Sequence, residues 1–192
     1  MDVYLVRHTT PDVDSVVCYG QADVGLAETF DMEWSMLMPK LAHLVNPLVF
    51  SSPLQRCAKL AKMAVDHFNF SSPHTDARLL ELNFGDWELT AWGDIPQGIV
   101  GEWSDEHVNQ APPNGESYAD LHIRAKAFLA DLATDKNNKQ ALIFTHAGVI
   151  RALVAEALNV PLREASRVKV NYGSVTHIVA DAGVTRLEFV NR

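Results

Sequence analysis

The chain has 192 residues, 47% of them apolar and 21% charged, with a formal net charge of −8. That composition supplies a sizeable core and excludes a disordered chain. The acidic balance argues against nucleic acid or an anionic membrane as partner, since both need a basic face.

Val3-Tyr4-Leu5-Val6 reads as a buried strand spanning about 2–7, and it ends in Arg7-His8. The strand begins at once, with no basic region and no apolar leader, so no signal peptide is expected. A loop follows, then a helix at about 28–45. PLVFSS (47–52) is a short strand. Pro53 fits a first helical turn with Ser52 as N-cap. The helix runs to about His67, with Leu54, Cys57, Ala58, Ala61 and Val65 on one face. ARLLEL (77–82) reads as another short strand.

Residues 83–115 read as irregular, with three tryptophans, five glycines and three prolines, in the manner of a lid-like insertion over a sheet. Ser117 with Asp120 forms a capping box for a helix at about 118–134. QALIFTH (140–146) is a continuous apolar strand, so it belongs at the centre of a sheet. Ala147-Gly148 turns the chain into a helix at about 148–158. Strands at about 174–180 and 184–190 close the chain around Asp181-Ala182-Gly183. Alternating strands and helices predict one α/β domain over 1–192, a three-layer sandwich with a mostly parallel central sheet flanked by helices. Cys18 and Cys57 have neither CxxC spacing nor a nearby histidine pair, so two free thiols in a reducing cytoplasm are expected.

In such sheets ligands bind beyond the carboxyl ends of the strands. Three strands here lead into the same vocabulary: Arg7-His8, then Ser51-Ser52-Pro53 with Arg56, then Thr145-His146-Ala147-Gly148. Guanidinium groups are planar, permanently charged and bidentate toward phosphate oxygens. Amides opening the helix at Ala147 and Gly148 add donors and the positive end of a dipole. A neutral histidine beside phosphorus is a competent nucleophile. The leaving alkoxide then needs a proton from a carboxylic acid, and Glu81, Asp86 and Glu88 in LLELNFGDWE are all candidates.

LVRHT (5–9), SSPLQRCAKLA (51–61), LLELNFGDWE (79–88) and FTHAGVIRALV (144–154) together resemble the four signature blocks of the histidine phosphatase superfamily, with its phosphoglycerate-mutase-like fold. The resemblance covers residues 2 to about 158. It implies that His8 is the phosphorylated nucleophile, that Arg7, Arg56 and His146 bind the phosphate, that Glu81 is the proton donor, and that no metal ion or other cofactor takes part. RHTTPDVDSVVCYGQADVGLA (7–27) is similar to the α-ribazole phosphatase branch, which implies removal of the 5′-phosphate from α-ribazole 5′-phosphate in cobalamin assembly. Thr9 stands where most of the superfamily has glycine, and its hydroxyl is a candidate donor to phosphate. Thr9, Ala147, Gly148 and Gln21 complete the expected substrate contacts.

The expected partner is a small-molecule phosphate ester, and a homodimer is an admissible assembly. Two other readings compete: a broad-range phosphatase or phosphoglycerate mutase on the same scaffold, and a non-catalytic module that binds phospho-ligands. A mutase needs extra basic residues for a second anionic group. Residues 83–115 hold six acids (Asp86, Glu88, Asp94, Glu102, Asp105, Glu106) and no Lys or Arg, which disfavours a doubly anionic substrate. A non-catalytic module would be expected to lack His8, Glu81 or His146, and none is missing. His43, His67, His74, His107, His122 and His177 read as surface or capping residues, and Arg151 as a capping or pairing residue on its helix.

Overall fold

The computed structural model describes residues 1–135, 137–181 and 184–192, and of Asp105 the backbone alone. Strand β1 (Asp2–Arg7) is followed by helix α1 (Phe30–Leu41), strand β2 (Leu48–Ser51), helix α2 (Gln55–Phe68) and the two-residue strand β3 (His74–Thr75). Helices α3 (Gln97–Glu106) and α4 (Tyr118–Leu132) lead to strand β4 (Gln140–Thr145), helix α5 (Ala147–Leu158) and strands β5 (Val175–Asp181) and β6 (Val184–Phe189). The six strands form one sheet in the order β3-β2-β4-β1-β5-β6. The first four run parallel, and β5 and β6 are antiparallel additions at one edge.

Alternation along the strands sorts side chains onto two faces. Val3, Leu5, Ala141 and Ile143 pack on one face with α4 and α5. Tyr4, Val6, Leu142 and Phe144 pack on the other with α1 and α2. Covered on both sides, β4 is apolar throughout, as expected of a central parallel strand. Helix α2 buries Cys57, Leu60, Ala61 and Ala64, the i, i+3, i+4, i+7 stripe of a one-sided helix. Both bonds of the Ser117–Asp120 capping box are present at the start of α4. This is the three-layer α/β sandwich that the alternation predicts.

Four expectations are corrected. Residues 77–82 are not a strand: Ala77–Leu79 is a 3-10 turn, nucleated where the Asp76 carboxylate accepts from the Arg78 amide. The stretch 83–115 is not wholly irregular. It contains α3, whose Gly98 and Gly101 lower helix propensity; the neighbouring Trp103 and Val100 pack on Cys18, Trp87 and Ile95. Ser52 does not cap α2, because the chain is still extended at Leu54. Helix α1 is shorter than read, and β3 and a 3-10 turn at Leu162–Arg167 carry no periodic signal that reveals them. Of the turn read at Asp181-Ala182-Gly183, the last two residues lie outside the described residues.

Candidate active site

Parallel pairing of β1 with β4 sets Arg7 opposite Thr145, so the next residues, His8 and His146, leave the sheet side by side. Their rings are 5.1 Å apart between centroids. Strand β2 pairs with the other side of β4, Ser51 opposite Phe144, and so brings Ser52 and the first turn of α2 to the same edge. The Ser52 hydroxyl lies 2.8 Å from His146 Nε2. Arg56, in that first turn, is fully buried.

His8 Nδ1 lies 2.7 Å from the Thr9 carbonyl oxygen. A carbonyl only accepts, so Nδ1 carries the proton and Nε2 keeps its lone pair. Burial, with Arg56 and Arg7 nearby, holds the His8 pKa well below that of a free imidazole. Burial lowers His146 in the same way, helped by His8, Arg56, Arg124 and Arg7.

The two arginines are held by carbonyls. Arg7 Nη1 donates to Val170 O (2.6 Å), and Arg56 Nη1 and Nη2 donate to Ala22 O (2.9 Å) and Gly20 O (2.6 Å). Among the described residues neither guanidinium makes an ion pair with a carboxylate. Four buried side-chain polar atoms have no hydrogen-bond partner among the described residues: Arg7 Nε, Thr9 Oγ1, Arg56 Nε and Trp103 Nε1. Three of the four belong to the cluster at the strand ends. Each unpartnered group costs on the order of 1–3 kcal/mol, which fits a site built for an anion that this acidic chain does not itself supply.

The three candidate carboxylates separate. Glu88 accepts from the backbone amides of Gln21, Ala22 and Phe84, so it ties two loops together. Asp86 accepts from Asn114 Nδ2. Glu81 accepts from Leu82 N (2.9 Å) and Gly148 N (3.1 Å) and lines a cavity of about 300 Å³ with Phe84, Trp103, His107, Tyr118 and Arg151. Gly148 leaves room for this contact: a Cβ on it would overlap Glu81 Oε1 and displace the carboxylate. The Gly148 amide, expected to face phosphate, is thus taken by Glu81. Gln21, expected to touch substrate, donates through Nε2 to Glu81 O (2.9 Å). The hydroxyl of Thr9 and the side chain of Ala147 are both buried beside the cluster.

Arg124 escaped the sequence reading, and Ser52 and Arg151 take roles other than those read. Arg124, on α4, donates to the carbonyls of Arg78, Leu80 and Glu81 and pairs with Glu116 at 2.6 Å, so it fixes the turn that carries Glu81. Ser52 is a partner of His146 rather than a cap. Arg151 is anchored through Nε to Val168 O (2.9 Å) and enters the cavity from α5. Arg151 lies outside residues 83–115, whose lack of Lys and Arg disfavours a doubly anionic substrate, so the cavity wall does hold one base. No local pattern marks any of the three: apart from Glu116, eight residues from Arg124, the partners named lie 17 to 94 residues away.

No group of three or more His, Cys, Asp or Glu side chains suited to a metal ion occurs among the described residues. A neutral imidazole beside guanidinium groups that have no carboxylate partner, with a carboxylate lining a nearby cavity, has the chemistry to bind and attack a phosphoryl group. The chain belongs to the histidine phosphatase superfamily, branch 1, whose family model matches residues 3–192. It is a phosphatase. It is 26% identical over 195 residues to the adenosylcobalamin/alpha-ribazole phosphatase of Salmonella typhimurium, covering all of this chain and 96% of that one. It is 25% identical over 162 residues to phosphoserine phosphatase 1 of Hydrogenobacter thermophilus, covering 82% of this chain and 76% of that one. Among solved structures, the alpha-ribazole phosphatase from Shigella flexneri superposes with a TM-score of 0.89 at 24% identity, over 100% of this chain and 96% of that chain.

Proposed function

We propose that the protein is a phosphomonoesterase that works through a phosphohistidine on His8, with α-ribazole 5′-phosphate as substrate. His8 Nε2 attacks phosphorus and the bond to the ester oxygen breaks. Arg7, Arg56 and His146 hold the three equatorial oxygens as charge spreads onto them. Glu81, as the carboxylic acid, gives its proton to the departing alkoxide. The resulting carboxylate takes a proton from water as that water attacks the phosphohistidine, releasing inorganic phosphate and restoring His8.

The observation that carries this reading is the pair of arginines without carboxylate partners around an imidazole whose Nε2 is unprotonated. The aromatic lining of the cavity, Phe84, Trp103 and Tyr118, suits a leaving group with a flat ring. Similarity to relatives named for alpha-ribazole phosphate supports the narrower substrate. The chain reads as a single domain in which residues 83–115 wall the leaving-group side. A cytoplasmic setting fits its two free, buried cysteines.

The test is covalent labelling by a phosphorylated substrate. An acid-labile, base-stable label is expected on the wild-type protein and none on His8→Ala; a full label on that variant would overturn the assignment. A panel of α-ribazole 5′-phosphate, phosphoglycerates and sugar phosphates then tests the substrate, with the first expected to have the highest kcat/KM. Arg151 favours a second reading, an alcohol that bears a carboxylate, because its fork matches that group. Phosphoglycerate ranking first in the panel, with that rank lost in Arg151→Met, would establish it instead.

A further inference from the structure

Two tyrosines outside the four signature blocks meet at the phosphoryl end of the site. Tyr172, in the loop before β5, lays its ring against the Arg7 guanidinium, Cζ lying 3.7 Å from the ring centroid. The same ring is 5.6 Å from that of His8. Tyr19, in the loop after β1, has its ring 5.3 Å from Arg56 Cζ. The two hydroxyls share a hydrogen bond of 2.8 Å. One bond between two side chains therefore links the partner of one arginine to the partner of the other, across 153 residues of sequence.

The loop bearing Tyr172 grips Arg7 elsewhere too. Val170 O accepts from its Nη1, Ser174 O accepts from its backbone amide, and Gly173 N donates to the carbonyls of Arg7 and His8. Meanwhile His8 is 1% exposed and Arg56 and His146 are at 0%, whereas Tyr172 is 37% exposed. The nucleophile is thus covered, and the cover includes a ring that faces solvent.

We propose that Tyr172 and Tyr19 are positioning residues that clasp the phosphoryl site. The Tyr172 ring sets the plane of the Arg7 guanidinium, and the hydroxyl pair parts to admit an anion to His8 and closes again behind it. The proposal rests on the phosphoryl-site reading but not on the choice of alcohol. Losing one neutral hydrogen bond raises the open fraction about 2- to 12-fold. Association and dissociation then quicken together and leave Kd unchanged. Losing the ring removes a cation–π contact and weakens the anion about 2- to 30-fold.

Orthovanadate is a suitable probe, followed by stopped-flow tryptophan fluorescence on the full chain. Tyr19→Phe and Tyr172→Phe are each expected to raise the association rate constant 2- to 12-fold at constant Kd. The double variant should match either single one, because both remove the same bond. Tyr172→Leu should raise Kd, and the ring retained in Tyr172→Phe should preserve it. Wild-type association rates in both Phe variants, a double effect equal to the product of the single effects, or a wild-type Kd in Tyr172→Leu would each overturn the clasp alone. Absence of vanadate binding by the wild-type protein would remove the phosphoryl-site reading and the clasp with it.

Discussion

Replacing Gly148 with alanine tests the proton-donor role proposed for Glu81 apart from the stability of the fold. The new Cβ would overlap Glu81 Oε1, sit 3.2 Å from Glu81 Cδ and come 3.3 Å from Leu121 Cδ1, whereas real Cβ atoms essentially never approach within 3.0 Å of a neighbour. Leu121 is fully buried in the core and gives little. The carboxylate therefore moves, on the order of 1 Å, and a displacement of that size costs about 10²-fold in rate at a reacting centre. Removing general acid catalysis altogether costs about 10²- to 10⁴-fold, so Glu81→Gln marks the limit of the effect. Gly148 has no left-handed φ to protect. Alanine inside α5 adds about 0.5–1 kcal/mol of helix stability, against a lost bond from Gly148 N to the carboxylate. Folding should hold within about 1–2 kcal/mol. The assay compares kcat/KM on an alkyl phosphate with that on p-nitrophenyl phosphate, whose leaving group departs without a proton, alongside Tm. A fall of about 10²-fold on the first and far less on the second is expected. Unchanged rates on both substrates, or equal losses on both, would refute the placement of Glu81 as the acid.

Other outcomes follow from the same geometry. His8→Ala should abolish turnover on every ester, and residual activity above that of a buffer blank would point to another nucleophile. Inorganic phosphate at 100 times its Kd should stabilise the wild-type fold by about 2.7 kcal/mol; Arg56→Met should lose that shift in Tm, whereas retention would show that Arg56 does not hold the anion. His8 and His146 have folded pKa values below the unfolded value of about 6.5, so the unfolded chain binds more protons. Stability without phosphate should be full above about pH 6.5 and decline as the pH falls through it. His146→Gln should flatten that decline in a Tm series from pH 8 to pH 5, and parallel curves would refute the linkage. Arg124→Met should lower both Tm and kcat, because it frees three carbonyls beneath Glu81; full activity would mean that the turn holds without it.

Local order was legible in the sequence wherever one period or one short motif specified it. Strands β1, β2, β4, β5 and β6, helix α2 and the Ser117–Asp120 capping box each depend on neighbours within a few residues and lie close to where they were read, although α2 buries Leu60 and Ala64 in place of Ala58 and Val65. Helix α3 was hidden because its glycines oppose it locally and aromatic packing outweighs them. The 3-10 turn at Ala77–Leu79 was hidden because the Asp76 side chain, not an apolar period, forms it.

Tertiary structure alone decided which carboxylate of LLELNFGDWE meets the cavity, since three acids within eight residues look alike until Gln21, Ala22 and Asn114 occupy two of them. It alone placed Ser52 on His146, Arg124 on the carbonyls of the turn that carries Glu81, and Arg151 in the wall of the pocket that Phe84, Trp103 and Tyr118 also line. The physical reason is range. Hydrophobic period and capping are written within a turn or two of chain, whereas a buried polar group takes whichever partner the sheet order brings to it, however far away in sequence that partner stands.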